Sequence, residues 1–221
     1  MLAEPPAEPR SLPLGPLARR LTHPSLLTRF TTLLAVAVTV FVFCWSLAYM
    51  LLPQGVLRGR TGGAALAGGD QAASSFTLEW LRIFAVNFVI VAGAVVASNL
   101  LRTRRGVPLG YWSALVMIGI AAVVTGTNSF SIQAETTNKL APSLELLGHP
   151  GPYELASYVL ATTAAFGVGR WQLTGRWPHS KAHRLPPAHV NGRQLGLGLA
   201  AAGLTLLITA AWEAARIVAN G

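Results

Sequence analysis

Residues Phe30–Leu52, FTTLLAVAVTVFVFCWSLAYMLL, run for 23 positions without a charge. Crossing the hydrocarbon core of a bilayer as a helix takes about 20 apolar residues, so this run is a transmembrane span. Arg19-Arg20 ahead of it resembles the start of a signal peptide. The run is too long for a cleaved apolar region, however, and no A-x-A-like site follows it. It is therefore read as an uncleaved first span.

Four more stretches have the same character. The predicted spans are about 30–52, 81–101, 111–129, 153–173 and 194–213. The chain of 221 residues is 52% hydrophobic and 11% charged, against about 25% charged in a soluble domain. The expectation is an all-α polytopic membrane bundle: a flexible cytoplasmic tail over 1–25 and a single membrane domain over 26–221. The tail's end, Leu17 to Arg29, is expected as a short basic helix on the membrane surface. The single Cys44 excludes an intramolecular disulfide.

The net charge of +9 is placed unevenly. Twelve of the seventeen Lys and Arg precede span one or lie in the loops after spans two and four, while six of the eight acids fall on the other side. Cytoplasmic loops collect Lys and Arg. The N-terminus is thus expected inside and the C-terminus outside, with anionic headgroups accounting for the basic excess. No nucleic-acid-binding motif is present, so no nucleic-acid partner is expected.

Several features carry possible chemistry. Asn87, one turn into span two, and Asn128, at the end of span three, are polar groups at membrane depth. Gly93 and Ala97 in span two, Gly167 in span four, and Gly196 and Gly203 in span five form small faces on which helices pack closely. Leu140, Leu144 and Leu147 are spaced for one face of an amphipathic helix. The turn Gly148-His-Pro-Gly-Pro-Tyr-Glu154 follows, and Gly151 is read as permitting a sharp reversal. Glu154 then opens span four. There a carboxylate serves either as a complement to the helix dipole or as part of a polar network or substrate path with Asn87, Asn128, His149 and Gly151. Glu79 with Arg82, and Glu213 with Arg216, are read as interfacial pairs.

The inner loops offer Arg102, Arg104, Arg105, Arg176, Lys181 and Arg184 as a cytoplasmic docking surface. His179 and His183 have a metal-like spacing, but Pro178, Pro186 and Pro187 oppose a helix there, and neither a metal nor a cofactor is expected. There is no Walker lysine loop, G-x-S-x-G elbow or H-E-x-x-H, which leans the reading away from an enzyme.

The spans, Asn87, Gly93 and the spacing Gly151, Glu154, Leu155 resemble the stage II sporulation protein M family of membrane proteins. That family shows Pro-His-Gly, two residues, then Glu and an apolar residue. Here the first pair is His149-Pro150, in reverse order. Ala161 to Gly169 is similar to the family's small-residue run. The resemblance, over roughly 80–175, implies a non-catalytic subunit of a bacterial plasma-membrane assembly. That assembly would serve export, maturation or immunity for ribosomally made peptides such as bacteriocins. It would act with other membrane subunits or as a homo-oligomer, beside a cytoplasmic ABC-type ATPase. The alternatives are a scaffold that recruits a peptidoglycan hydrolase and, behind it, a membrane-embedded enzyme using His149 and Glu154 as acid and base.

Overall fold

The computed structural model describes residues 15–58, 75–130, 138–174, 181–185 and 191–220. Most of them are helical. Helix α1 (Pro16–Leu21) precedes α2 (Leu26–Leu51), α3 (Phe76–Leu100), α4 (Leu109–Gly126), α5 (Gly151–Ala164) and α6 (Gly192–Asn220). Four of these, α2, α3, α4 and α6, are long and apolar enough to cross a membrane.

Helix α5 is shorter than these four, and its setting explains its sequence. Its 14 residues rise about 21 Å, and the 3-10 turn Ala165–Val168 that continues it adds about 8 Å. It packs against α2, α3, α4 and α6. Ser157, Tyr158, Val159, Ala161, Thr162, Thr163 and Ala164 are all buried, so nearly the whole circumference is covered by protein. A central helix has no need to be uniformly apolar, provided its polar groups are satisfied inside the protein. The Thr163 hydroxyl donates to the Val159 carbonyl at 2.8 Å, and Ser157 to Tyr153 at 2.8 Å.

Around α5 the other helices present four-residue rows. In α6, Gly198, Ala202, Leu206, Ala210 and Ala214 are buried. In α3 the row is Asn87, Val91, Val95 and Asn99. In a straight α-helix each four-residue step drifts by about 40°, and three steps by about 120°. The stretch Ile90–Val96 is instead π-helical. A π turn takes up an extra residue and cancels most of that drift. Both asparagines of α3 therefore face α5.

Three glycines mark the closest crossings. A methyl group on Gly110 would overlap the Val95 carbonyl oxygen and the Asn99 and Thr162 side chains. One on Gly126 would meet the Trp45 carbonyl oxygen at 2.7 Å, and one on Gly198 would overlap the Ala164 methyl. The expected packing positions lie elsewhere. Gly93, Ala97 and Gly196 are exposed, Gly167 and Gly203 partly so, and a methyl on Gly93, Gly196 or Gly203 would meet nothing within 4 Å. The phase of each helix decides this: Gly196 and Gly203 fall off the α6 row that Gly198 begins.

The ends of the bundle differ in chemistry. The loops after α3 and α5 meet in a small sheet absent from the all-α expectation. Strand β1 (Leu101–Arg102) runs parallel to β2 (Trp171–Thr174), which pairs antiparallel with β3 (Lys181–Arg184). Arg19, Arg20, Arg104, Arg105, Arg170, Lys181, Arg184 and Arg193 are exposed at this basic end. Among the described residues no Asp or Glu lies there. The opposite end gathers Glu79, Glu145, Glu154 and Glu213, with Arg82 and Arg216 among them.

Several boundaries differ from expectation. Span four was expected to reach 173, but the helix gives way after Val168 because the chain enters β2. The short basic helix expected over Leu17 to Arg29 is limited to α1, Pro16–Leu21, which packs on α2, and α2 already begins at Leu26. The amphipathic helix expected around Leu140–Leu147 is, in its described part, the 3-10 turn Leu144–Gly148 with Leu144 83% exposed.

Candidate functional site: a polar cluster around Glu154

Pro150, Gly151 and Pro152 start α5 at the acidic end. Gly151 is simply its first residue, with no left-handed φ and open space around it, so no sharp reversal is made there. Pro152 lies within the first turn, where a missing N–H is no loss. No side-chain capping bond is made at this terminus. Glu154 instead reaches across to α3, where the Asn87 amide donates to its carboxylate at 3.0 Å. The other end of the Asn87 amide accepts from the Tyr158 hydroxyl at 2.7 Å. Tyr158 lies one turn below Glu154, so the α5 pair grips a single asparagine. Thr209 of α6, whose hydroxyl donates to the Thr205 and Leu206 carbonyls at 3.0 and 3.2 Å, lies beside Glu154.

Two more carboxylates approach. Glu213, one turn beyond Thr209, acts electrostatically on Glu154 and in turn feels Glu79 and Arg216. Glu79 is 2% exposed and pairs with Arg82 at 3.4 Å. Of the two pairs expected at the interface, Glu79–Arg82 forms, whereas Arg216 donates to the Gly148 carbonyl at 3.2 Å. Among the described residues no cation lies within ion-pair distance of Glu154, and no group of three ligating side chains is placed to hold a metal.

The structure unites Asn87 with Glu154 and leaves the other expected network residues apart. Asn128 terminates α4 in a left-handed turn (φ 49°), donates to the Asn138 carbonyl at 2.9 Å and accepts from Arg58 at 3.0 Å. His149 is exposed and makes no hydrogen bond to Glu154 or Asn87. Partial burial, followed by nearby Arg216, holds its imidazole below the ordinary value, and Glu145 opposes this.

A second asparagine contact sits lower on the same row. The amide of Asn99 donates to the Thr162 carbonyl at 2.8 Å and accepts from the Thr162 hydroxyl at 3.1 Å. Below it, Phe166 lies between two guanidinium groups, Arg29 at 4.7 Å and Arg102 at 4.8 Å from the ring centre. Arg29 is 3% exposed and donates to the carbonyls of Thr163, His23 and Pro24 at 3.2, 2.6 and 2.8 Å. Arg102 donates to the Phe166 carbonyl at 2.8 Å. Burial lowers its pKa, and Tyr111 counteracts the shift. Of these carbonyls, those of Thr163 and Phe166 lie at the negative end of the α5 dipole. Arg102, expected on the docking surface, is thereby withdrawn from it. Arg104, Arg105, Lys181 and Arg184 remain exposed, and Arg176 lies outside the described residues.

Tyr158, Thr209 and Glu213 were not among the expected network residues. The four-residue spacings Glu154–Tyr158 and Thr209–Glu213 were available as a signal. Comparison of the chain with family models, curated proteins and solved structures gave no match.

Proposed function

We propose that the chain is a five-crossing protein of a bacterial plasma membrane, basic end inside, acting as a non-catalytic subunit of a peptide export, maturation or immunity assembly. The observation that carries this reading is the Asn87–Glu154 hydrogen bond. These residues, 67 apart in sequence, both belong to the resemblance to the stage II sporulation protein M family, and they make one interhelical unit. A carboxylate held by a neutral donor at membrane depth, near two further carboxylates, suits a gate or polar path.

In this reading α5 with its 3-10 turn, about 29 Å by helical rise, matches the hydrocarbon thickness of about 30 Å. It is the fifth crossing, lined by protein instead of lipid. The exposed Lys181 and Arg184 of the hairpin dock a cytoplasmic ABC-type ATPase through its acidic surface.

The test is purification of the tagged full chain from its native membrane, with identification of what accompanies it. Wild type and Glu154→Gln both retain an ATPase, Lys181→Gln/Arg184→Gln loses it, and Glu154→Gln loses export or protection while still inserting. A peptidoglycan hydrolase in place of the ATPase would move the assignment to a scaffold. Full activity of Glu154→Gln would remove the polar cluster from the mechanism.

A further inference from the structure

An open groove of about 430 Å³ runs between α3 and α4 on the outside of the bundle, away from the polar cluster. Ala94 and Ser98 of α3 form one wall, and Trp112, Ser113 and Met117 of α4 the other. Its floor is tied by the Ser113 hydroxyl donating to Ser98 at 3.1 Å. Its lower end, at Leu101 and Leu109, opens onto the β1–α4 loop. That loop is a tight turn: Gly106 takes a left-handed φ of 75°, its N–H reaches the Thr103 carbonyl at 2.8 Å, and the Thr103 N–H reaches Val107 at 2.8 Å. The turn presents Arg104 and Arg105 to the surroundings.

The geometry points to a binding site for one anionic phospholipid, an acyl chain in the groove and the headgroup phosphate on Arg104 and Arg105. Three observations select this occupant. The walls belong to two helices long and apolar enough to span the membrane, so acyl chains are the surrounding solvent. The two cations stand at the mouth, at an end with no acidic residue among those described, which matches a phosphate and repels none. The indole of Trp112, 56% exposed, lies in the wall one turn above that mouth, at the depth where tryptophan marks the headgroup boundary. The hairpin cations Lys181 and Arg184 take no part.

The full chain is reconstituted in phosphatidylcholine vesicles, and brominated acyl chains are introduced on either phosphatidylglycerol or phosphatidylcholine. The contribution of Trp112 is isolated by subtracting the signal of Trp112→Phe. Brominated phosphatidylglycerol is expected to half-quench Trp112 at a mole fraction about thirtyfold lower than brominated phosphatidylcholine, from about fivefold per arginine. Arg104→Gln/Arg105→Gln brings the two lipids to parity, and Ala94→Phe lowers quenching by both. Equal quenching of wild type by the two lipids would overturn the proposal. So would a preference that survives loss of both arginines, or unaltered quenching in Ala94→Phe. Protection of Trp112 from both lipids would show the groove covered by a second copy or a partner helix, and would overturn it as well.

Discussion

Substitution of Gly110 by alanine tests the packing around the central helix. The added methyl would lie within 3.0 Å of the Val95 carbonyl oxygen, Asn99 Oδ1 and Thr162 Oγ1. The first is backbone and cannot swing aside. The other two are engaged with each other, at 3.1 Å, so making room breaks the Asn99–Thr162 contact. Overpacking of this kind costs about 1–3 kcal/mol. The two interhelical hydrogen bonds add about 0.6 kcal/mol each, the average in a membrane bundle. Alanine's better helix propensity returns at most about 1 kcal/mol. The expected net loss is about 2 kcal/mol. Gly93→Ala is the control, because a methyl there meets nothing within 4 Å and the propensity gain acts alone. Reversible unfolding in mixed micelles, followed by circular dichroism, should show Gly110→Ala less stable than wild type and Gly93→Ala equal or more stable. Equal stability of wild type and Gly110→Ala would refute the crossing geometry. Damage by Gly93→Ala as large as that by Gly110→Ala would do the same.

Other outcomes follow from the same structure. Phe166→Leu removes the ring shared by Arg29 and Arg102 and should cost about 1–2 kcal/mol at two cation–π contacts, read as a lower thermal midpoint in detergent. Asn99→Leu leaves the Thr162 hydroxyl without its acceptor and should destabilise by about 1 kcal/mol, whereas Ala97→Leu on the exposed side of α3 should be neutral in the same measurement. For His149 the folded protein favours the neutral imidazole, so the unfolded chain binds the extra proton. Stability should then fall as the pH drops below the ordinary value of 6.5. His149→Gln should flatten that slope between pH 7.5 and 5.5, and an unaltered slope would show that another group titrates.

The long uncharged runs made four helices legible, because crossing a bilayer demands both length and apolarity. The charge asymmetry between loops is reproduced as a basic and an acidic end. Other features depend on neighbours that a linear reading does not show. The central position of α5 follows from burial on several sides, which lets serines and threonines replace leucines. The π turn in α3 leaves no mark in composition, yet it decides that Asn87 and Asn99 share a face and that Gly93 looks outward. Glu154 stood out as a carboxylate beside an apolar run, but whether it met Asn87, His149 or its own helix terminus was a question of tertiary geometry. The strands at 101–102, 171–174 and 181–184 are too short to carry a period-2 pattern, and their pairing depends on which loops the bundle brings together.

The most direct measurement is a double-mutant cycle between Asn87 and Glu154, built from Asn87→Ala, Glu154→Ala and the pair, with unfolding free energies taken in bicelles. Because the amide of Asn87 donates to the Glu154 carboxyl at 3.0 Å, the cycle should return a coupling of about 0.6–1.5 kcal/mol, the range of interhelical hydrogen bonds in membrane bundles. The cycle between His149 and Glu154 should be additive within about 0.3–0.5 kcal/mol. Additivity between Asn87 and Glu154, or a larger coupling of Glu154 to His149, would contradict the account of a cluster built on the α3–α5 contact.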